Sequence, residues 1–323
     1  MASPNLSELI TTTLRNRTGK LADNVSKNNG LLNRLLEKGK VETADGGRTI
    51  VQEIEYAENG TFMRYSGYDV LNISPSDVFT AAEFDWKQAA AAISISGLEE
   101  MQNSGKEVVI KLLAKRITNA QKTLRNNIAV DCYSDGTASG GKQIGGLQSL
   151  VSTAPTSGTV GGINRATWSF WRNQAIDMSA DLSLTASATT IQQGMNSLWY
   201  KLVRGADAPD LIVADNVMFG YYEASLQAIQ RIAQSKMADA GFTALKYKNA
   251  DVVLDGAYGG GAPSSTMYFL NTDYIYLRPH SRRNFTELGG DRINPNQDAT
   301  VKLLGWMGNM TMSNAFLQGV LVP

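Results

Sequence analysis

One stretch has the spacing of a known chemical motif. In GTASGGKQ, Gly136, Gly141 and Lys142 match the G-x-x-x-x-G-K spacing of a phosphate-binding loop, in which backbone amides and the lysine hold phosphates. However, Gln143 stands where a hydroxyl group would hold magnesium, and further glycines follow where a helix should open. We therefore interpret the stretch as a flexible linker, with a nucleotide-binding enzyme as a remote alternative.

The other reactive side chains are too few to build an active site. His280 is the only histidine, and no nucleophile accompanies it at a recognisable spacing, so we interpret it as a surface or interface residue. The single Cys132 excludes an internal disulfide and a Cys/His metal site. The sequence therefore predicts a protein that is not an enzyme, with no catalytic, cofactor-binding or metal-binding residues.

Length and charge restrict the class of protein further. The 323 residues are 43% hydrophobic, which is enough for cores in about two domains. Thirty basic and thirty acidic residues cancel, and this argues against a free-standing nucleic-acid binder. Residues 1 to 40 carry a small basic excess, seven basic against three acidic residues, which fits a solvated polar arm or an arm that faces something anionic. Because this segment has no independent core, we expect it to lie on another surface. The sequence contains no signal peptide and no apolar run long enough for a membrane span.

A long amphipathic helix is the main predicted element. Apolar residues recur at spacings of four, three, four and four, in the order Leu113, Ile117, Ala120, Leu124 and Ile128. The pattern predicts a helix within residues 97 to 131, about 40 Å long at 1.5 Å per residue. Such a helix is either a core helix of a two-layer domain or a beam that links parts of an elongated subunit.

Ahead of this helix the sequence predicts a two-stranded ribbon. Asn59-Gly60 is a strong hairpin signal, and TIVQEIEY and TFMRYSGYDVL flank it. Polar and charged residues lie on both faces of the predicted strands, so the ribbon cannot bury a face by itself. It should rest on a neighbouring surface, and two surfaces remain possible: its own domain or a neighbouring subunit.

The rest of the chain alternates between strand and helix signals, which predicts an α+β layout with the long helix packed on a sheet formed partly from the C-terminus. The predicted elements are a strand over 78 to 96, a Gly/Ser/Thr-rich loop over 134 to 162, helices over 189 to 203 and 215 to 235, strands over 210 to 214 and 250 to 254, a glycine-rich loop over 256 to 265, and strands from 267 to 323.

The order of these parts resembles the major capsid protein of tailed bacteriophages, whose Hong Kong phage-type fold is shared with encapsulins and the floor of herpesvirus capsids. The similarity runs from about residue 45 to 323, and no single piece of it is diagnostic. The stretches that carry it are IGGLQSLVS, GGINRATWSFWRNQ, DLIVADNVMFGYYEASL, MYFLNTDYIYLRPH and GWMGNMTMSNAFLQGVL.

The resemblance implies a division of the chain and a function. The implied parts are an N-terminal arm (1 to 42), an extended loop on the next subunit (43 to 75), a peripheral domain (76 to 144) with a spine helix (about 97 to 131), an axial domain at capsomer centres (145 to 265), and return strands that complete the peripheral domain (266 to 323). The implied function is self-assembly, as hexamers and pentamers, into an icosahedral shell around packaged double-stranded DNA. An encapsulin-like nanocompartment is the alternative.

Two departures from the family pattern shape the expected partners. Some members crosslink a lysine of the extended loop, but residues 43 to 75 contain no lysine, so we expect a shell without covalent crosslinks. Only about 40 residues precede the loop, so we expect a separate scaffolding protein. The resemblance also implies a portal, possible cement or decoration proteins, weak non-specific contact with DNA, no membrane partner, assembly in the host cytoplasm and location in the virion.

Overall fold

The structure is a computed structural model, and it describes residues 29–102, 112–226, 244–256, 260–289, 292–293 and 298–323. Its helices are α1 (Gly30–Glu37), α2 (Gly97–Gln102), α3 (Leu112–Asp131), α4 (Ala138–Gly141), α5 (Leu147–Leu150), α6 (Met178–Leu182), α7 (Ile191–Leu202) and α8 (Asn216–Ser225), with 3-10 turns at Ser169–Trp171 and Thr272–Tyr274. Its strands are β1 (Ile50–Glu55), β2 (Phe79–Phe84), β3 (Lys87–Ser96), β4 (Thr159–Val160), β5 (Ile163–Asn164), β6 (Gln174–Asp177), β7 (Leu211–Ala214), β8 (Ala244–Tyr247), β9 (Ala250–Leu254), β10 (Met267–Leu270), β11 (Ile275–Pro279), β12 (Thr286–Glu287), β13 (Arg292–Ile293), β14 (Ala299–Met312) and β15 (Gly319–Val322).

The first large sheet is built around β14, which at 14 residues is much longer than an average strand. It pairs antiparallel with β3 over ten residues, from Ala299 opposite Ser96 to Gly308 opposite Lys87, and also with β11, β12 and β13. Helix α3 packs against β3. This arrangement confirms the α+β prediction that the long helix lies on a sheet formed partly from the C-terminal segment.

The second large sheet has six strands in the order β6-β15-β10-β7-β9-β8. The β6–β15 and β7–β9 pairs are parallel, and the others are antiparallel. All residues of β7 and β10 are buried, whichever face they point to. Both faces of this sheet are therefore covered, which explains why LIVA and MYFL are continuous apolar runs without alternation.

Each face of the six-stranded sheet belongs to a different core. On one face, Ile212 and Phe269 pack in a cluster with Leu198 of α7 and Phe219 of α8. On the other face, Val213 and Tyr268 join a second cluster that includes Leu35 of α1, Ile128 of α3 and Leu304 of β14. The second cluster extends from one large sheet to the other, so these two parts of the molecule share a hydrophobic core.

The strands of the C-terminal segment are shared between the two large sheets. Residues 266 to 323 were assigned to the peripheral domain, but β10 and β15 at its two ends pair within the six-stranded sheet. Only β11 to β14 lie in the sheet that contains β3. Strands β10 and β15 therefore share a sheet with β6 to β9, because sequence order does not record which sheet a returning strand joins.

The helix predictions agree with the described residues, with shorter bounds. Helices α2 and α3 cover both ends of the predicted helix over 97 to 131, while residues 103 to 111 lie outside the described residues. The helix predicted from Asp215 begins there, since the Asp215 side chain accepts a hydrogen bond from the Met218 amide at 3.0 Å. It ends at Ser225, and residues 227 to 243 lie outside the described part.

Candidate assembly surface

The predicted ribbon exists, but its second strand is not the predicted one. Strand β1 pairs antiparallel with β2, with Ile50 opposite Phe84 and Glu55 opposite Phe79. The stretch TFMRYSGYDVL contains no strand. Asn59 does form a tight turn, because its side-chain oxygen accepts a hydrogen bond from the Thr61 amide at 3.0 Å. The chain then continues to Val78 before it returns as β2. The prediction of a hairpin that turns at Asn59-Gly60 is therefore wrong.

The connection between β1 and β2 is exposed almost throughout. From Glu58 to Asp77 every residue except Thr61 is exposed. Several of these residues are large and apolar, and their exposed fractions are Phe62 77%, Tyr65 66%, Tyr68 105%, Val70 89% and Ile73 91%. An exposed group of this size on a folded chain marks an interaction surface or an aggregation hazard.

One face of the ribbon packs on the body of the chain. Ile54 and Phe84 are buried in the core that extends to both large sheets. Gln52, which lies on the same face, accepts a hydrogen bond from the Arg278 guanidinium at 3.0 Å. The Gly161 carbonyl accepts a hydrogen bond from the Glu83 amide at 2.9 Å. The ribbon is thus fixed at its base, while its tip extends into solvent.

The opposite face of the ribbon is acidic. It carries three exposed carboxylates, on Glu53, Glu55 and Glu83, beside the exposed apolar side chains of Val51 and Phe79. The strand register places Glu83 opposite Val51 and Phe79 opposite Glu55, so all five side chains share one surface. We call this surface the acidic face.

Aromatic residues support the point where the ribbon leaves the body. The ring of Tyr56 lies 5.8 Å from that of Trp168 in an edge-to-face arrangement and 5.3 Å from that of Phe170. Such aromatic pairs contribute beyond their buried area. They connect the end of β1 to the segment before β6, so they fix the direction in which the tip leaves the body.

A segment near the N-terminus, residues 29 to 44, ties the two large sheets together. Leu31 and Leu35 of α1 are fully buried. The Arg34 guanidinium lies 3.1 Å from the Asp210 carboxylate next to β7. After the helix the chain runs parallel to the edge of β11, where the Leu277 amide donates to the Lys40 carbonyl at 3.0 Å. The arm predicted to lie on another surface therefore lies, over residues 29 to 44, on its own chain; residues 1 to 28 are outside the described part.

A buried carboxylate anchors the start of this segment. Asp255 accepts hydrogen bonds from the Gly30 amide at 3.0 Å and from the Tyr133 hydroxyl. Burial raises the pKa of Asp255 to about 6, although both hydrogen bonds favour the ionised form. Burial, followed by the charge of Asp255, also raises the pKa of Tyr133 well above its ordinary value. Helix α1, the end of α3 and β9 therefore meet at one titratable group.

One side of α3 is basic, with Lys115 and Arg125 exposed and Lys122 half-buried. Lys115, Lys122 and Arg125 recur at spacings of seven and three, so they follow one side of the helix. Lys122 and Arg125 line a groove of about 280 Å³, and Phe285 from the loop before β12 forms part of its wall. We call Lys115, Lys122 and Arg125 the basic stripe.

The residues considered for chemistry occupy other places. The GTASGGKQ stretch contains one irregular helical turn, α4, and the next helix begins only at Leu147. The Gly141 carbonyl accepts a hydrogen bond from the Lys87 ammonium at 2.6 Å, so the stretch packs on β3 as a link. His280 is half-buried, and its ring lies 5.3 Å from that of Trp86. Cys132 is fully buried, and burial raises the pKa of its thiol to about 12.

Within residues 29–102, 112–226, 244–256, 260–289, 292–293 and 298–323, no group of three or more His, Cys, Asp or Glu side chains is arranged to hold a metal ion. In that same part of the chain, no helix combines the length and apolar character that crossing a bilayer requires.

Sequence reasoning missed two features of this surface. The first is the apolar character of the ribbon tip, which is carried by the aromatic and aliphatic residues of TFMRYSGYDVLNI although they do not alternate as in a strand. The second is the pairing of Arg34 and Lys38 with Asp210, which lies more than 170 residues away. No local pattern could have shown this pairing.

Comparisons with known proteins give matches in structure alone. No protein-family model matches the chain, and no curated protein matches it. Among solved structures, the capsid asymmetric unit of cyanophage A-1(L) matches with a TM-score of 0.66 and 15% identity, covering 96% of each chain.

Two further solved structures match along nearly the whole chain. The SrpI encapsulin complex from Synechococcus elongatus PCC 7942 matches with a TM-score of 0.59 and 8% identity, covering 98% of this chain and 95% of that one. The capsid of an empty GTA particle matches with a TM-score of 0.58 and 12% identity, covering 99% and 95%. The chain therefore has the Hong Kong phage-type capsid fold, as the resemblance implied.

Proposed function

We propose that this chain is the major capsid, or head, protein of a tailed bacteriophage, and that it self-assembles into an icosahedral shell around packaged double-stranded DNA. The observation that carries the proposal is a capsid fold along the whole chain with an exposed apolar ribbon tip. Exposing the apolar side chains of Phe62, Tyr68 and Ile73 to water costs a free energy of roughly 25 cal/mol for each Å² of apolar surface. Burial against neighbouring copies removes this cost.

The parts of the chain take the roles that the fold suggests. Residues 43 to 75 are the extended loop on the next subunit, and the helix over 97 to 131 is the spine of the peripheral domain. Residues 145 to 265 form the axial domain at capsomer centres, together with strands β10 and β15 of the same sheet. Residues 1 to 42 are the arm, and its helix α1 fastens the two domains together.

The same proposal names the partners. Copies of the chain form hexamers and pentamers, in which each subunit presents one surface to the next around a closed ring. A separate scaffolding protein directs closure, a portal occupies one vertex, and a cement or decoration protein is possible on the outside. Zero formal net charge limits repulsion between subunits and keeps contact with the packaged DNA weak and non-specific. Assembly takes place in the host cytoplasm, and the product is the virion capsid.

The shell is proposed to be held by non-covalent contacts. No lysine occurs in residues 43 to 75, so the loop has no amine that could form an isopeptide bond with a neighbour. Many repeated contacts between copies supply the strength instead.

An encapsulin-like compartment is the second candidate, because an encapsulin subunit matches with a TM-score of 0.59. The two candidates differ in cargo. A phage shell recovered from infected cells should contain DNA of uniform length, whereas a nanocompartment should contain protein cargo. Nuclease-protected nucleic acid, extracted from purified particles and sequenced, separates them.

The direct test of self-assembly is to purify the recombinant chain and follow it by sedimentation velocity and negative-stain electron microscopy over a range of concentrations. We expect rings and irregular shells from the lone chain, since closure needs a scaffold. Uniform closed particles from the lone chain would contradict the separate scaffolding protein. A species that stays monomeric at every concentration would contradict the proposed function itself.

A further inference from the structure

The Asn59-Gly60 pair lies in the exposed connection between β1 and β2. An asparagine that precedes a glycine can react with its own backbone, because the glycine nitrogen is not shielded by a side chain and lies next to the asparagine side chain. We propose that Asn59 is a self-modification site, which converts into aspartate and isoaspartate through a cyclic imide. The inference goes beyond the proposed function, and the reaction does not depend on assembly.

The reaction is an intramolecular acyl transfer. The Gly60 nitrogen forms a bond with Cγ of Asn59 and gives its proton to the solvent, and the bond from Cγ to Nδ2 then breaks and releases ammonia. Water opens the imide at either carbonyl, which leaves a normal or a β-linked aspartate at position 59. The net change converts an amide and water into an acid and ammonia, so water is the only co-reactant.

The turn holds two donors at the oxygen on which negative charge develops. When the Gly60 nitrogen attacks, Oδ1 of Asn59 becomes an oxyanion. This atom accepts hydrogen bonds from the Thr61 amide at 3.0 Å and from the Thr61 hydroxyl at 2.8 Å. Donors that are fixed around a developing oxyanion lower the barrier of acyl transfer. The Asn-Gly-Thr turn therefore stabilises the transition state of its own modification.

The attacking nitrogen is accessible. A Cβ atom at Gly60 would lie 4.0 Å from the Ser76 hydroxyl oxygen, so the space beside the nitrogen is open. The Gly60 amide donates a hydrogen bond to the same oxygen at 3.5 Å, a distance at which the bond is weak. Asn59, Gly60 and Ser76 are all exposed, so water can take up the proton and hydrolyse the imide.

A second Asn-Gly pair, at residues 29 and 30, is an internal control. Asn29 is buried, its Nδ2 donates to the Ala129 carbonyl at 2.7 Å, and its Oδ1 accepts from the Leu32 amide at 2.9 Å. The Gly30 amide donates to the Asp255 carboxylate at 3.0 Å. The reaction at this pair therefore requires local unfolding of the start of α1, which costs free energy.

The conversion changes the charge and the shape of the ribbon tip. Residues 58 to 77 contain one cation, Arg64, and three carboxylates, Glu58, Asp69 and Asp77, which gives a net charge of −2. A fourth carboxylate at position 59 makes it −3. The β-linked product also lengthens the main chain by one methylene, which disrupts the turn. Under the proposed function this tip lies on the next subunit, so the change would affect chains that have not yet assembled.

Mass spectrometry of the purified full-length chain tests the proposal. The chain is kept at neutral pH, samples are digested in acid over time, and the peptides that contain positions 29 and 59 are followed by their change in mass. An isoaspartyl methyltransferase labels the β-linked product. In the folded chain Asn59 should convert at least about tenfold faster than Asn29, because only Asn29 needs local unfolding. In urea the two should convert at similar rates.

Two variants at position 61 test the role of the turn, and circular dichroism verifies that both are folded. Thr61→Val removes the hydroxyl donor with little change in shape, so it should slow the conversion of Asn59 about fivefold in the folded chain but not in urea. Thr61→Ser keeps the hydroxyl and should convert like the wild type.

The inference is overturned if Asn59 persists as long as Asn29 in the folded chain, or if Thr61→Val converts at the rate of the wild type. Both measurements are made on the unassembled chain. Their failure is therefore distinct from a failure of the proposed function, which sedimentation over a range of concentrations detects.

Discussion

Replacing Asp255 with asparagine should make the stability of this protein less dependent on pH. The pKa of Asp255 is raised from 3.8 to about 6 by burial. At pH values between these two pKa values, Asp255 is therefore protonated in the folded state and ionised in the unfolded state. For such a group, stability is greatest in acid and falls as the pH rises through the folded pKa.

The magnitude follows from the size of the shift. A difference of about two pKa units corresponds to about 3 kcal/mol between full protonation and full ionisation. Between pH 4.5 and pH 7 the part contributed by Asp255 is about 2 kcal/mol. In Asp255→Asn the new side chain would carry no charge, and its oxygen would still accept a hydrogen bond from the Gly30 amide. Between pH 4.5 and pH 7 the free energy of unfolding of the variant should therefore rise by about 2 kcal/mol relative to that of the wild type.

Urea unfolding, followed by circular dichroism at several pH values and at concentrations where the chain is monomeric, measures this gain. Asp45→Asn, at an exposed position before the ribbon, is the control, and its curve should run parallel to that of the wild type. A difference between Asp255→Asn and the wild type that does not change with pH would refute the reasoning. So would a gain in the opposite direction, since the hydrogen bonds from Gly30 and Tyr133 would then outweigh burial.

Three further outcomes are expected. Leu35→Ala, at a fully buried position of α1, should lower the free energy of unfolding by about 2 to 5 kcal/mol, whereas Leu36→Ala, at the exposed next position, should change it little, as measured by urea unfolding. Gly161→Ala should increase proteolysis of the ribbon tip without unfolding the body, because Gly161 has a φ of 57° and a Cβ there would lie 2.8 Å from the Ala82 side chain. Equal cleavage rates for the variant and the wild type would count against this. Denaturing electrophoresis of assembled particles should give a single band near 34.9 kDa, and a ladder of multimers would disprove the non-covalent shell.

The elements with a strong local period could be predicted from the sequence. Apolar spacing in LLAKRITNAQKTLRNNIAVD is enough to indicate the long helix, and Asp215 is a helix cap that depends only on its next three residues. A ribbon beginning with TIVQEIEY was also predicted, but its mixed polarity concealed that Ile50 and Ile54 form one face that packs in the core. These features depend on neighbours within a few positions, which a sequence records directly.

The pairing of distant segments was decided by the tertiary structure. The partner of β1 is β2, and not the residues that follow Asn59-Gly60, and in this pairing Ile54 and Phe84 are buried in one core. Strands β10 and β15 join the six-stranded sheet although their neighbours in sequence join the other one. Such choices depend on which apolar surfaces are buried together, and the linear sequence does not record them.

Some features of the candidate surface are also determined by the sequence, and others only by the tertiary structure. Composition alone determined that the chain has no formal net charge, lacks lysine in residues 43 to 75, and has one histidine and one cysteine. Only the folded chain placed three carboxylates on one face of the ribbon and three cations along one side of α3, and left the ribbon tip in solvent. The physical reason is that charge and residue type belong to the sequence, whereas exposure and mutual distance arise only when remote segments pack.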